Sequence, residues 1–137
     1  MERVIALLKE KNFYLEKFYA VNEHELINFG AGDFENVEAF YQARDKMLDL
    51  IRCIDGLIQE ENTRSTPPVT TEQRREVEGI LKLKDEWVTS ILAQDLQLLE
   101  YVEKEKSHII RELKTTQAAR RAVGAYANME RVKQLEE

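Results

Sequence analysis

Gly30-Ala31-Gly32-Asp33 decides the fold of this chain, because only there and at one proline loop does the sequence stop favouring helix. Gly30 and Gly32 can take the positive φ that commonly follows a helix. Asp33 is a capping residue for a second helix, with Glu35 near its positive N-terminal end. Working outward, the spacing predicts helix 1 over about 2–29 and helix 2 over about 34–62. Helix 1 carries the seam Ile5, Leu8, Asn12, Leu15, Tyr19, Asn22, Leu26, Phe29, in steps of three and four. Helix 2 carries Val37, Phe40, Arg44, Met47, Ile51, Ile54, Ile58. Alternating steps of this kind are heptads.

The second break is Thr63-Arg64-Ser65-Thr66-Pro67-Pro68-Val69-Thr70, a loop over 63–70 whose two prolines stop helix propagation. Thr70 and Gln73 form a capping-box pair that starts helix 3. Its seam reads Val77, Leu81, Lys84, Val88, Ile91, Asp95, Leu98, Val102, Glu105, Ile109, Leu113, widened by Ile80 and Trp87. Helix 3 is expected over about 71–122, with Gly124 loosening or ending it. Residues 123–137 then form a flexible tail, within which Met129-Glu130-Arg131-Val132-Lys133-Gln134-Leu135 can add a turn or two. The expected fold is all-α, one helical domain over 1–137: a three-helix antiparallel bundle or coiled-coil hairpin with a long, projecting third helix. Phe13, Phe18 and Phe40 are expected in its core.

Composition agrees. The 137 residues are 34% charged and 43% hydrophobic, with only 5 Gly and 2 Pro. The five Phe, five Tyr and many aliphatics exclude a disordered chain. Net charge is −6; residues 1–99 hold 19 acids and 12 bases (−7), residues 100–137 hold 7 and 8 (+1). Neither half has the clustered positive charge that neutralises phosphates, and Arg120-Arg121 is too short to supply it, so nucleic acid is not an expected partner. Cys53, the single cysteine, is expected as a small buried hydrophobe in Leu50-Ile51-Arg52-Cys53-Ile54. Charges from Glu2 onward interrupt any signal sequence, and no apolar run approaches the ~20 residues that span a bilayer. The expected compartment is the cytoplasm, with no membrane insertion.

Three seam positions are polar: Asn22, Arg44 and Asp95. Folding the helices about the two turns brings them within a turn or two of one another. They form a buried layer that sets register, or Arg44 and Asp95 reach solvent at the seam edge; both readings stand. Helix lengths carry a second message. Helices 1 and 2 each span roughly 42 Å and helix 3 roughly 75 Å. The turn at Phe29 and Phe34 falls level with about residue 99 of helix 3. Yet Tyr101, Val102, Ile109, Ile110, Leu113, Ala118, Ala122, Val123 and Tyr126 continue an apolar stripe past it. Such a surface calls for a partner. Val102, Ile109, Ile110, Leu113 and Val123 are the expected client-binding residues.

Chemistry is not expected. His24-Glu25 is not followed by a second His at zincin spacing. Glu105 and His108 make one Glu-x-x-His pair where a di-iron bundle needs two. Gly30-Ala31-Gly32 lacks the strand and further glycine of a nucleotide site. Glu60-Glu61 and Glu136-Glu137 read as solvated faces. The expectation is a binding protein, not an enzyme, with no metal and no cofactor.

Further residues carry a resemblance. The amphipathic opening Leu7-Leu8-Lys9-Glu10-Lys11 through Leu26, the turn Gly30-Ala31-Gly32-Asp33-Phe34 and the charged Tyr41-Gln42-Ala43-Arg44-Asp45-Lys46 come first. A long third helix follows, closing on Arg120-Arg121-Ala122-Val123-Gly124-Ala125-Tyr126. In this order the chain resembles the bacterial flagellar type III export chaperones of the FlgN/FliT kind. The resemblance covers most of the chain; the turn and the closing tyrosine carry most of it, and the sequence after Tyr126 departs from the pattern. It implies an ATP-independent cytoplasmic chaperone. Such a protein binds the helical terminal segment of a hook-associated or filament-cap protein, prevents premature assembly and delivers it to the export gate. It also implies that Tyr126 docks on the gate's cytoplasmic domain. The rival reading is a structural coiled-coil adaptor in which two copies pair through helix 3, a homodimer unrelated to export.

Overall fold

A computed structural model describes the backbone of residues 1–64 and 68–136 and the side chains of those up to residue 125. The described residues form three helices: α1 (Glu2–Gly30), α2 (Val37–Thr63) and α3 (Thr71–Glu136). Ser65, Thr66 and Pro67 of the proline loop lie outside the described residues. Residues 1–99 form one compact unit and 100–137 another. Among the described residues, no helix is long and apolar enough to cross a membrane.

The first turn closes as the glycines suggest, with one refinement. Gly32 alone takes a positive φ, 78°. Gly32 N–H bonds the Phe29 carbonyl at 3.0 Å and Asp33 N–H the Asn28 carbonyl at 2.9 Å. That pair of bonds is the Schellman closure, which uses up carbonyls that a helix end would otherwise leave bare. Helix 2 begins later than the expected residue 34. The Asp33 carboxylate accepts from Glu35 N–H at 3.0 Å, a local turn that competes with helix. Phe34 stacks back on Phe29 with centroids 4.6 Å apart. Asn36, not Asp33, is therefore the N-cap.

The start of α3 follows the capping-box expectation in both halves: Gln73 N–H donates to Thr70 Oγ1 and Thr70 N–H to Gln73 Oε1, each at 3.1 Å. Its end does not follow expectation. The helix runs through Gly124 to Glu136 instead of stopping near 122. One glycine costs a helix only about 1 kcal/mol relative to Ala, and the alanines and long polar side chains around Gly124 favour helix.

Within residues 1–99 the contacts give the directions. Lys9 meets Glu76, Asn12 the Ile80 carbonyl, Tyr19 the Trp87 ring and Asn22 Asp95, so α1 and α3 run in the same sense. Lys11 meets Asp55 and Phe29 meets Phe40, so α2 runs back between them in sequence. The central cluster is Leu15, Phe18, Ile51 and Ile91, with Tyr14, Tyr19, Met47, Leu48, Trp87 and Val88 packed on it.

Because α1 touches both other helices, its buried face is wider than a single seam. Val4, Leu7 and Glu25 are buried beside the expected Ile5, Asn12, Leu15, Phe18, Asn22 and Phe29. Phe13, expected in the core, is half-exposed, with Lys17 Nζ 4.5 Å from its ring centre. Cys53, expected buried, is exposed. It follows Arg52 and precedes buried Ile54, so at 100° per residue it turns away from the seam.

Candidate binding surfaces

The polar seam residues meet in one layer, with Asn22 buried and Arg44 and Asp95 partly exposed at its edge. Asn22 is fully buried. Its Nδ2 donates to Asp95 Oδ1 at 3.2 Å, and Arg44 Nη2 reaches the same oxygen at 3.2 Å. The Arg44 guanidinium also lies 5.0 Å from the Phe18 ring centre and 5.4 Å from that of Phe40. One carboxylate from α3 thus joins α1 to α2. Two further amides tie α1 to α3. Asn12 Nδ2 donates to the Ile80 carbonyl at 3.1 Å. Gln94 Nε2 donates to the Tyr19 carbonyl at 3.1 Å and to Glu23 Oε1 at 2.9 Å. The burial of Gln94 and Glu25 has no signal in a hydrophobic seam, since both are polar and each stands one residue before a seam position, Asp95 and Leu26.

This layer ties the three helices to one another. Among the described residues, no three His, Cys, Asp or Glu side chains gather as a metal site would require. His108 pairs with Glu112 at 3.0 Å on an exposed helix face, and not with Glu105.

The residues named for client binding lie on α3 beyond Leu99. Val102 is half-buried; Ile109, Ile110, Leu113 and Val123 are 47, 43, 57 and 69% exposed. Val102, Ile109 and Leu113 stand seven and four residues apart, on one face of the helix. Val123 comes within about 40° of Ile109 around the axis, and Ile110 lies about 100° from Ile109. The structure therefore brings Val102, Ile109 and Leu113 together and places Ile110 at the edge. Lys106 and Arg120 interrupt the same face, but their stems can cover apolar surface while the charges stay wet. The backbone of Tyr126 belongs to α3; its side chain lies outside the described residues.

A second exposed apolar set went unread in the sequence. Leu92, Leu96 and Leu99 are all exposed on α3. They follow the core positions Ile91, Asp95 and Leu98 by one residue each, which turns them about 100° from the core. Their own spacing of four and three was the available signal, masked by the stronger seam beside it.

What α3 offers here is exposed aliphatic helix surface with charged residues of both signs beside it. No protein-family model, no curated protein and no solved structure matches the chain.

Proposed function

We propose that the chain is a cytoplasmic export chaperone of the flagellar type, which holds the amphipathic helical terminal segment of a hook-associated or filament-cap protein until it is delivered to the export gate. The observation that carries this reading is the exposure of Ile109, Leu113 and Val123 on a helix face with no covering element described beside them. Exposed aliphatics at helical spacing suit helix-in-groove recognition, in which a client helix sets its apolar face against them. The resemblance in the turn and in the closing segment supplies the class of client. Tyr126 is the proposed gate-docking residue, for which a rigid ring with a hydroxyl is well suited.

The test is to titrate the protein with terminal segments of hook-associated and filament-cap proteins. Ile109→Asp and Leu113→Asp should each weaken binding about thirtyfold, the loss typical of an interface hot spot of about 2 kcal/mol, with helicity unchanged. Undiminished binding in both variants refutes the assignment. A protein that sediments alone as a dimer, and that Leu113→Asp turns into a monomer, would give the surface to a second copy and favour the adaptor reading. Tyr126→Ala should weaken binding to the gate's cytoplasmic domain while client binding persists; joint loss would make Tyr126 part of the client surface.

A further inference from the structure

The end of the bundle where α1 turns into α2 is acidic and holds no strong base. Between Phe18 and Ala43 the sequence carries Glu23, Glu25, Asp33, Glu35 and Glu38 and neither Lys nor Arg. The rest of residues 1–99 is close to balance, with 14 acids and 12 bases. A field of one sign is therefore confined to this tip, and it attracts cations.

A cleft of about 440 Å3 lies between the two helices here. Val21, His24 and Asn28 line it from α1, Ala39 and Phe40 from α2, so its surface is chiefly apolar. Glu25 lines it too. That carboxylate is only 3% exposed, and its Oε1 has no hydrogen-bond partner. Oε2 takes one bond, from Asn28 Nδ2 at 3.5 Å, which is at the limit of a hydrogen bond. Ion pairs in this unit serve Lys9, Lys11, Arg44, Arg52, Arg64 and Lys84, none of them with Glu25. Folding thus withdraws a carboxylate from water and leaves it without the cation or donors that normally offset the loss. A group held that way in a cleft is a binding-site signature more than a packing one.

We propose that this cleft docks a basic side chain, a lysine or arginine, carried on an amphipathic helix of a partner protein, with the Glu25 carboxylate as its counter-ion. A cation is favoured because the charges carried between Phe18 and Ala43 are all acidic, and the nearby Arg44, over the Phe40 ring, is paired with Asp95. A side chain is favoured over a metal ion because no cluster of three ligating groups occurs among the described residues. A helix fits because the cleft runs between two helices, and Ala20 and Ala39 on its walls allow a third backbone to come close. The site involves α1 and α2 only, so it stands whether or not α3 holds an export client.

The probes are two short amphipathic helical peptides with a leucine stripe, one with a single central arginine and one with neutral citrulline in its place. Each is titrated by nuclear magnetic resonance into the full chain and into Glu25→Gln. The arginine peptide should bind the native protein about tenfold more tightly than the citrulline peptide and should shift the amides of Val21, His24, Asn28 and Ala39. In Glu25→Gln that preference should vanish. The same variant, free of peptide, should melt at a higher temperature than the native protein, because it removes a buried charge that lacks a partner. Equal binding of the two peptides overturns the proposal, as does an arginine preference that survives in Glu25→Gln or shifts that map outside the cleft. A lower melting temperature for Glu25→Gln also overturns it, by making the carboxylate a supporting part of the fold. A dimer of the protein alone that Glu25→Gln dissolves gives the cleft to a second copy and overturns it equally.

Discussion

Asp95→Ala tests what the polar layer contributes. The substitution removes the one oxygen that both Asn22 Nδ2 and Arg44 Nη2 approach at 3.2 Å. Asn22 is fully buried and its Oδ1 is already without a partner, so the variant leaves the whole amide unsatisfied. A buried donor left unpaired costs about 1–3 kcal/mol. The ion pair needs discounting, since the side chains of Arg44 and Asp95 are 17% and 33% exposed. Water screens them, so their pairing adds about 1 kcal/mol, well short of the ~3–5 kcal/mol for breaking a fully buried pair. The expected loss is about 2–4 kcal/mol, a large fraction of the ~5–15 kcal/mol that holds an ordinary domain. It should appear as a drop of roughly 10–20 °C in melting temperature for a packed unit of this size. Urea titration followed by circular dichroism measures it directly. Replacing the layer with Asn22→Leu, Arg44→Met and Asp95→Leu together should recover most of the loss, because no polar group then remains unpaired. An Asp95→Ala variant within about 0.5 kcal/mol of the native protein, the range of ordinary surface changes, would refute the reasoning and return Arg44 and Asp95 to the solvated edge.

Leu7→Ala should cost about 2–5 kcal/mol in the same titration, since Leu7 is only 1% exposed and its removal opens a cavity. Thr70→Ala should cost about 1 kcal/mol and fray the first turn of α3 in hydrogen exchange, because it breaks one of the two capping bonds. Cys53 should react stoichiometrically with a thiol reagent in the folded protein without loss of helicity, as its exposure requires; reaction only after denaturant would show it buried. Gly124→Ala should stabilise the C-terminal part of α3 by about 1 kcal/mol, read as slower amide exchange, because an added Cβ there meets nothing within 4 Å.

The fold was legible wherever backbone chemistry alone decides. The Gly30–Asp33 turn and the Thr70–Gln73 box give helix ends through hydrogen bonds a few residues long, and no distant contact competes with them. The seam of α2 was legible because α2 buries a single stripe. Sequence reading fell short on α1. Leu7 and Glu25 are buried there although neither is a seam position, because the buried face of α1 is wider than one heptad seam. It failed at Phe13 and Cys53 because apolar character was taken for burial, although exposed apolar residues are ordinary. It failed at Phe34 because a tertiary contact with Phe29 holds three residues out of a helix that their propensity would allow. Of the surfaces, the α3 stripe could be read from periodicity. The Glu25 cleft could not, since it depends on which faces of α1 and α2 meet, though the missing bases between Phe18 and Ala43 were in plain view.

The hydrophobic pattern and the polar layer set the register of α3 together. Sliding α3 by seven residues, about 10.5 Å, along α1 and α2 brings charged seam residues such as Lys84 and Glu105 onto apolar core positions. It also breaks the polar layer. A slip in one direction puts Val88 in the place of Asp95; a slip in the other puts Val102 there. Either way buried Asn22 loses its acceptor and Arg44 faces an aliphatic chain, while Gln94 leaves the Tyr19 carbonyl that it holds at 3.1 Å. The penalty falls on the alternatives, not on the native state, and that is how a polar seam residue specifies one pairing at some cost in stability. The chosen register also decides which residues α3 commits to the packed unit. Among the described residues, Leu98 is its last buried side chain. A slip that put Glu105 in the position of Leu98 would draw Val102 into the core with it and remove that valine from the surface proposed to bind clients. The Asn22–Arg44–Asp95 layer therefore bears on the proposed client surface without being part of it, because the register it helps to set decides which residues of α3 are buried in the packed unit.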